Sequence, residues 1–261
     1  MTSITEKCAA IGGVRVNALS RKQWADCMLR DCLDRKGNAK KPIFVTSLNG
    51  HVLSKYHSSG TFREHINQAD GIDADGMPIV IASKLFGQTP LPERVATTDF
   101  FHDASTVAAQ HSLKFFMLGG TAEANKEAMR RIRLSYPSLE ITGHHGYIDS
   151  TNIEDVRELI KNYQPDVLWV GMGVPLEHKF VAENIHHFDG IGWIKTCGGL
   201  IDFLAGNKRR APRFLQNIGL EWAYRLALEP RRLFWRYAVT NFHAIFIVLV
   251  HALPWRRTTM T

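Results

Sequence analysis

Short apolar runs alternate along the chain with longer stretches in which apolar residues recur every three or four positions. The runs PIFVTSLN (42–49), LKFFMLGG (113–120), DVLWVGMG (166–173) and IGWIKTCGG (191–199) turn small or polar at their C-terminal ends. They read as buried strands. GID (71–73) and LEITGHHGY (139–147) add two shorter ones. Helical spacing covers 20–36, with Ser20 as N-cap and Gly37 closing it, then 50–57, 61–69, 97–112, 121–136, 152–163 and 175–185. The run PIVIASKLFG (78–87) fits a buried strand or a helix, and is read as a helix. Strand followed by helix, repeated, predicts an α/β fold: a parallel sheet with helices on both faces. Ligands of such sheets lie beyond the carboxyl ends of the strands. Those ends read Thr46-Ser47-Leu48-Asn49, Asp73-Ala74-Asp75-Gly76, Leu118-Gly119-Gly120-Thr121, His144-His145-Gly146-Tyr147, Gly171-Met172-Gly173 and Cys197-Gly198-Gly199. Small, polar residues stand where a ligand would.

The pattern changes after Gly206. Residues 207–261 mix Trp222, Tyr224, Phe234, Trp235, Tyr237 and Trp255 among arginines, an aromatic-rich helical appendage to a body spanning 1–206. Its longest uninterrupted apolar run, AIFIVLV (244–250), is flanked by Asn241, His243 and His251. A spanning helix needs about 20 apolar residues. Amphipathic helices lying in a lipid interface are therefore expected, not a span.

Composition changes the picture in three respects. The chain's 261 residues, 45% hydrophobic, suffice for a full core. The net charge of +7 is uneven: ten basic and two acidic residues follow position 207, giving +8 there and leaving −1 for the body. A basic tail implies an anionic partner: membrane surface, nucleic acid or phosphate. Cys8, Cys27, Cys32 and Cys197 have no C-x-x-C spacing, so reduced thiols are expected. The N-terminus MTSITEKCAAIGG lacks the basic start and apolar core of a secretory signal, and the chain reads as cytosolic.

No G-x-G-x-x-G, P-loop, kinase or G-x-S-x-G motif is present, so no cofactor is expected. GMGVPLEH places Pro175 at a helix start, and its glycines let backbone approach a phosphate or sugar; a plain tight turn fits as well. LGGTAEAN has the same logic. The pairs His144-His145 and His186-His187 point different ways and make poor chelators. Asp73-Ala74-Asp75 is formally a D-x-D, which leaves a metal role open beside two blander ones, turn acids or a base at a strand end.

Taken together, TSLN (46–49), ADGIDADGM (69–77), FMLGG (116–120), GHHGY (143–147), PDVLWVGMGVPLEHKF (165–180), GGLIDFLAG (198–206) and RAPRFLQNIGLEWAYRLALEPRRL (210–233) resemble the WecG/TagA/CpsF family of bacterial glycosyltransferases. The resemblance covers nearly the whole chain, and its last block is the most specific. It implies a Rossmann-like fold and inverting transfer of a sugar from a UDP-sugar to a polyprenyl-diphosphate-linked saccharide. It also implies peripheral attachment to the cytoplasmic face of the bacterial inner membrane through the appendage, with no general need for metal. By resemblance Asp75 is the catalytic base, and Asp73 a structural or supporting acid. Thr46 and Asn49 line the sugar cleft, with Gly119, Gly173 and Glu177 also at the substrate. Tyr147 packs on the uracil, Asp202 lies near it, and Arg225, Arg231 and Arg232 face the lipid diphosphate.

One departure stands out. The family often has G-x-P-x-Q-E-x-F, and this chain has Glu177 and His178 in place of the amide and acid. An ionised glutamate cannot donate a hydrogen bond as the amide can. A sugar with hydroxyls in place of an acetamido group follows, so glucose in exopolysaccharide assembly is the first expectation. N-acetylmannosamine or its uronic acid is the alternative. Two other classes are weighed: a nucleic-acid-binding protein using the basic tail, and a membrane scaffold without catalysis. The tail's Leu, Ile and Val at helical spacing suit lipid or core over nucleic acid, and Thr46, Asp75 and Tyr147 argue against a scaffold. Self-association through an apolar patch bared by a detached tail is a further expectation.

Overall fold

The computed structural model describes residue 4, residues 7–38 and residues 40–252, with every side chain among them except those of Asn217, Arg232 and Arg236. Six parallel strands form the sheet: β3 (Ile43–Leu48), β4 (Gly71–Ala74), β5 (Lys114–Gly119), β6 (Glu140–His144), β7 (Val167–Gly171) and β8 (Trp193–Thr196). Their spatial order is β4-β3-β8-β7-β5-β6. A separate antiparallel hairpin, β1 (Cys8–Ile11) and β2 (Val14–Asn17), precedes them. Sequence reading missed it, though Gly12-Gly13 carried the signal. Both have positive φ, 55° and 80°, as a tight two-residue hairpin turn requires.

Helices cover both faces. On one, α1 (Arg21–Arg35), α5 (Thr97–Gln110), α6 (Ala122–Ser135) and α9 (Leu200–Leu204) bury Trp24, Met28, Phe100, Phe101 and Ile201 against Phe115, Trp169 and Trp193. On the other, α7 (Ile153–Tyr163) and α8 (Leu176–Asn184) pack on Phe44, Phe116, Leu168 and Ile194. Neighbouring residues of one strand, such as Phe115 and Phe116, thus serve opposite faces, which is why the strands read as continuous apolar runs. Ser20 caps α1 in a capping box with Gln23, as its sequence implies.

A third cluster lies at the β4 end. There α2 (Gly50–Ser58), α3 (Gly60–Asn67) and α4 (Met77–Phe86) join the hairpin over Leu48 and Ile72. The helix reading of the ambiguous run at 78–87 agrees with α4. Because β3 leads into α2 and its neighbour β8 into α9 on the opposite face, the chain leaves a crevice between the two strand ends.

The appendage consists of α10 (Arg213–Asn217), α11 (Glu221–Leu228) and α12 (Pro230–Ala252). The structure places the apolar run of the appendage inside a longer element. The apolar run is part of one 23-residue helix, in which Leu233–Ala252 is long and apolar enough to cross a membrane by length and composition. Asn241, His243 and His251 flank the apolar run, and Arg236 is the one fixed charge in the Leu233–Ala252 segment. In the structure α12 lies along α2, burying Ala244 and Ile247. It leaves Trp235, Phe242, Ile245, Phe246 and Leu249 exposed. Residues 253–261, including Trp255, lie outside the described residues.

Candidate active site

The carboxyl ends of β4, β3 and β8 carry polar side chains on both faces of the sheet. On the α5 face, Asp73, Ser47 and Lys195 stand side by side. The Lys195 ammonium lies 2.8 Å from Asp73 Oδ2 and donates to Ser47 Oγ at 2.7 Å. Both charged side chains are sealed from solvent, at 0% and 2% exposure. Burial pushes the Asp73 carboxyl above its ordinary value even with Lys195 opposing it. On the α8 face, Thr46 Oγ1 lies 2.8 Å from His178 Nε2 and accepts from Thr196 Oγ1 at 2.7 Å. His178 is buried edge-on to Phe62. Burial and then Lys195 lower it to about 3, so the ring is neutral at working pH.

Asp75 sits one step beyond this layer. Its side chain is 28% exposed, where Asp73 is closed off. The main chain fixes it, since Asp75 N donates to Leu48 O at 3.0 Å. Its Oδ1 accepts from Thr97 N, in the first turn of α5, at 3.2 Å. Arg94 donates through Nε to the Asp75 carbonyl at 2.7 Å and holds a guanidinium nitrogen 4.0 Å from Oδ1. Its other nitrogen pairs with Glu221 of α11 at 2.8 Å. Burial alone would raise the Glu221 carboxyl, but Arg225, Arg94 and Arg210 outweigh it and hold the group below its ordinary value. Arg210 also pairs with Asp99 of α5. One chain of charges thus runs from the appendage to the neighbourhood of Asp75.

Asn49, beside Asp75, caps α2 by accepting from Val52 N at 3.1 Å. Thr46 is 1% exposed, beneath the crevice floor. Glu177 is buried as well. Its Oε2 accepts from Gly173 N at 3.0 Å and Gly198 N at 2.9 Å, tying the loop after β7 to the loop after β8. Burial raises its carboxyl to about 7 against the lowering effect of those amides. Gly119 ends β5 where a Cβ would meet Gly171 O at 2.2 Å, and its φ of 150° also favours glycine. Asn125 Nδ2, within 3.0 Å of Met117 O and Gly119 O and 2.9 Å of His144 O, fixes this end of the sheet to α6.

Tyr147 follows β6 and is 70% exposed. Its loop is pinned over β5 by Gly146 N donating to Gly120 O at 2.9 Å. Four strand spacings, about 20 Å, separate that point from Asp75. Asp202, on α9, pairs with Lys208. Arg225 is held by Glu221 at 2.6 Å and lies 4.9 Å from the Phe203 ring centroid, while Arg231 is exposed in the first turn of α12. The Arg232 side chain lies outside the described residues. Asp75 and Asn49 therefore stand together, Gly173 and Glu177 share one junction, and Tyr147 occupies the far end. Among the described residues, no cluster of three His, Cys, Asp or Glu is placed to hold a metal ion. Sequence reading missed Arg94, Thr97 and Lys195. Lys195 had a signal, a lone charge inside an apolar strand; Arg94 had none.

A glycosyl transferase WecG/TagA/CpsF family model matches residues 9–258. The chain is 31% identical over 191 residues to the N-acetylglucosaminyldiphosphoundecaprenol N-acetyl-beta-D-mannosaminyltransferase of Staphylococcus aureus strain NCTC 8325 / PS 47, covering 73% of this chain and 74% of that one. The protein of the same name from strain MRSA252 is 30% identical over the same coverage.

Proposed function

The chain belongs to the WecG/TagA/CpsF family of glycosyltransferases, and on that premise we propose that it moves N-acetylmannosamine from its UDP-sugar onto an N-acetylglucosamine-diphosphate-polyprenol. The observation that carries the reading is Asp75, the partly open carboxylate at the crevice mouth, held by backbone and by Arg94. The names of the relatives favour this donor over glucose. The argument for glucose rested on Glu177 and His178, and both side chains are buried and bonded within the protein. Their departure from the family pattern therefore describes the junction beneath the site.

In this reading the donor lies across the strand ends, its uracil against Tyr147 and near Asp202, and its sugar toward Asp75. Asp75 takes the proton from the acceptor hydroxyl as that oxygen attacks the anomeric carbon. UDP leaves from the opposite face through an oxocarbenium-like transition state, so the product is inverted. The N-terminus of α6 and the appendage arginines offer positive charge to the leaving diphosphate without a metal. The exposed apolar face of α12 and exposed Arg231 suit the cytoplasmic membrane surface, where a polyprenyl acceptor resides.

The test is UDP release by the full chain with liposomes bearing a short-chain polyprenyl-diphosphate-N-acetylglucosamine, over a panel of UDP-sugars, with EDTA. Turnover with UDP-N-acetylmannosamine and an inverted product by NMR is expected. Turnover with UDP-glucose alone overturns the donor assignment, and activity that appears only with added Mg²⁺ or Mn²⁺ overturns metal independence.

A further inference from the structure

Lys195 is a buried cation that the reaction as derived above does not use. It faces Asp73 and Ser47 in a layer whose other members on that face, such as Val45, Trp169 and Trp193, are apolar. An apolar row there would avoid the desolvation cost of two charges, and such replacements are often neutral or stabilising. A fully sealed ion pair therefore asks for a reason other than stability.

The layer above supplies one. Ser47 Oγ, which accepts a hydrogen bond from Lys195, lies 3.4 Å from Thr97 Oγ1. The Thr97 amide in turn donates to Asp75 Oδ1. Register places Ser47 directly opposite Asp73, and Lys195, opposite Val45 two residues earlier, reaches both, so the three side chains form one row. We propose that Lys195, with Asp73 and Ser47, is a positioning residue that aims Asp75 by fixing Thr97 at the start of α5. The inference rests on the reading of Asp75 as the base. Lys195 itself touches no substrate, since it is closed off from the crevice. Its action runs through Ser47 and Thr97, while Arg94 restrains Asp75 from the other side. A rival role, holding β4, β3 and β8 in register, needs the charges only as glue, and an apolar pair would serve it equally.

Two variants separate these roles. Asp73→Leu/Lys195→Met removes both charges together and leaves neither stranded. Ser47→Ala keeps both charges of the ion pair and removes the hydroxyl that stands between Lys195 and Thr97. In each, amide hydrogen exchange at Thr97 is measured on the full chain, together with kcat and the donor KM. We expect Thr97 exchange to rise at least about tenfold. We expect kcat to fall about 10- to 100-fold with KM within about twofold, the pattern of a misaimed group. Unchanged Thr97 protection in both variants overturns the proposal, as does wild-type kcat in both. If the double variant does not fold, Ser47→Ala decides alone. If the wild-type chain transfers no sugar from any donor, the proposed function falls while Thr97 exchange still decides whether the row holds Thr97.

Discussion

Glu177 links pH to stability in a direction opposite to most carboxylates. Its carboxyl is raised from an ordinary 4.5 to about 7, because burial outweighs the amides of Gly173 and Gly198. Between those values the folded chain holds a proton that the unfolded chain has released. Stability from this group is complete below about 4.5 and is lost as pH rises through about 7. The gap of 2.5 pH units, at about 1.4 kcal/mol each, amounts to about 3 kcal/mol. Glu177→Gln keeps a carbonyl oxygen to accept the two amides and removes the titration. Urea unfolding of both proteins from pH 4 to pH 8 should give nearly equal stability at the acid end. At pH 8 the variant should be more stable by about 3 kcal/mol. Parallel curves, or a variant weaker than wild type at pH 8, would refute the reasoning. Either would mean that the charged form is stabilised at that junction by something burial does not capture.

His178 runs the other way. Lowered to about 3 from 6.5, it contributes stability above 6.5 that is lost as pH falls, so His178→Gln should flatten the acid limb by about 3 kcal/mol between pH 6.5 and 4. Asp75→Asn should fold as wild type and lose roughly 10²–10⁴ in kcat in the UDP-release assay if the carboxylate is the base. Arg94→Met leaves Glu221 with Arg225 and Arg210, and should cost about 1.5–3 kcal/mol in urea unfolding while speeding proteolytic removal of the appendage. Phe242→Glu/Phe246→Glu, on the exposed side of α12, should weaken binding to anionic liposomes more than tenfold with the fold unchanged.

The sheet and its helices were legible because burial on both faces leaves long apolar strands, and because Ser20 announces a helix start. Which residues end the strands was legible too, since each apolar run turns small or polar there. Strand order was not, because nothing in LKFFMLGG says whether β7 or β8 lies beside it. Nor were the partners of Glu177, because only a turn of backbone brings the amides of Gly173 and Gly198 onto its oxygen. Arg94 was illegible for a related reason. Its partners are 19 residues upstream and 127 downstream, at Asp75 and Glu221, and no local pattern records either. That the apolar run belongs to a 23-residue helix was missed because uninterrupted apolar residues were counted, whereas a helix tolerates Asn241 and His243 on the side that meets α2.

The chain of charges through Asp75, Arg94, Glu221, Arg210 and Asp99 makes its members poor subjects for one-at-a-time accounting. Each substitution would disturb partners that the next one shares, so the losses should not sum. Once Arg94 is gone, replacing Glu221 finds fewer contacts left to break, and the pair measured together should cost less than its two singles added. A survey of single variants would therefore credit the same interaction energy to several residues, and only paired cycles can apportion it between the sheet, α5 and the appendage.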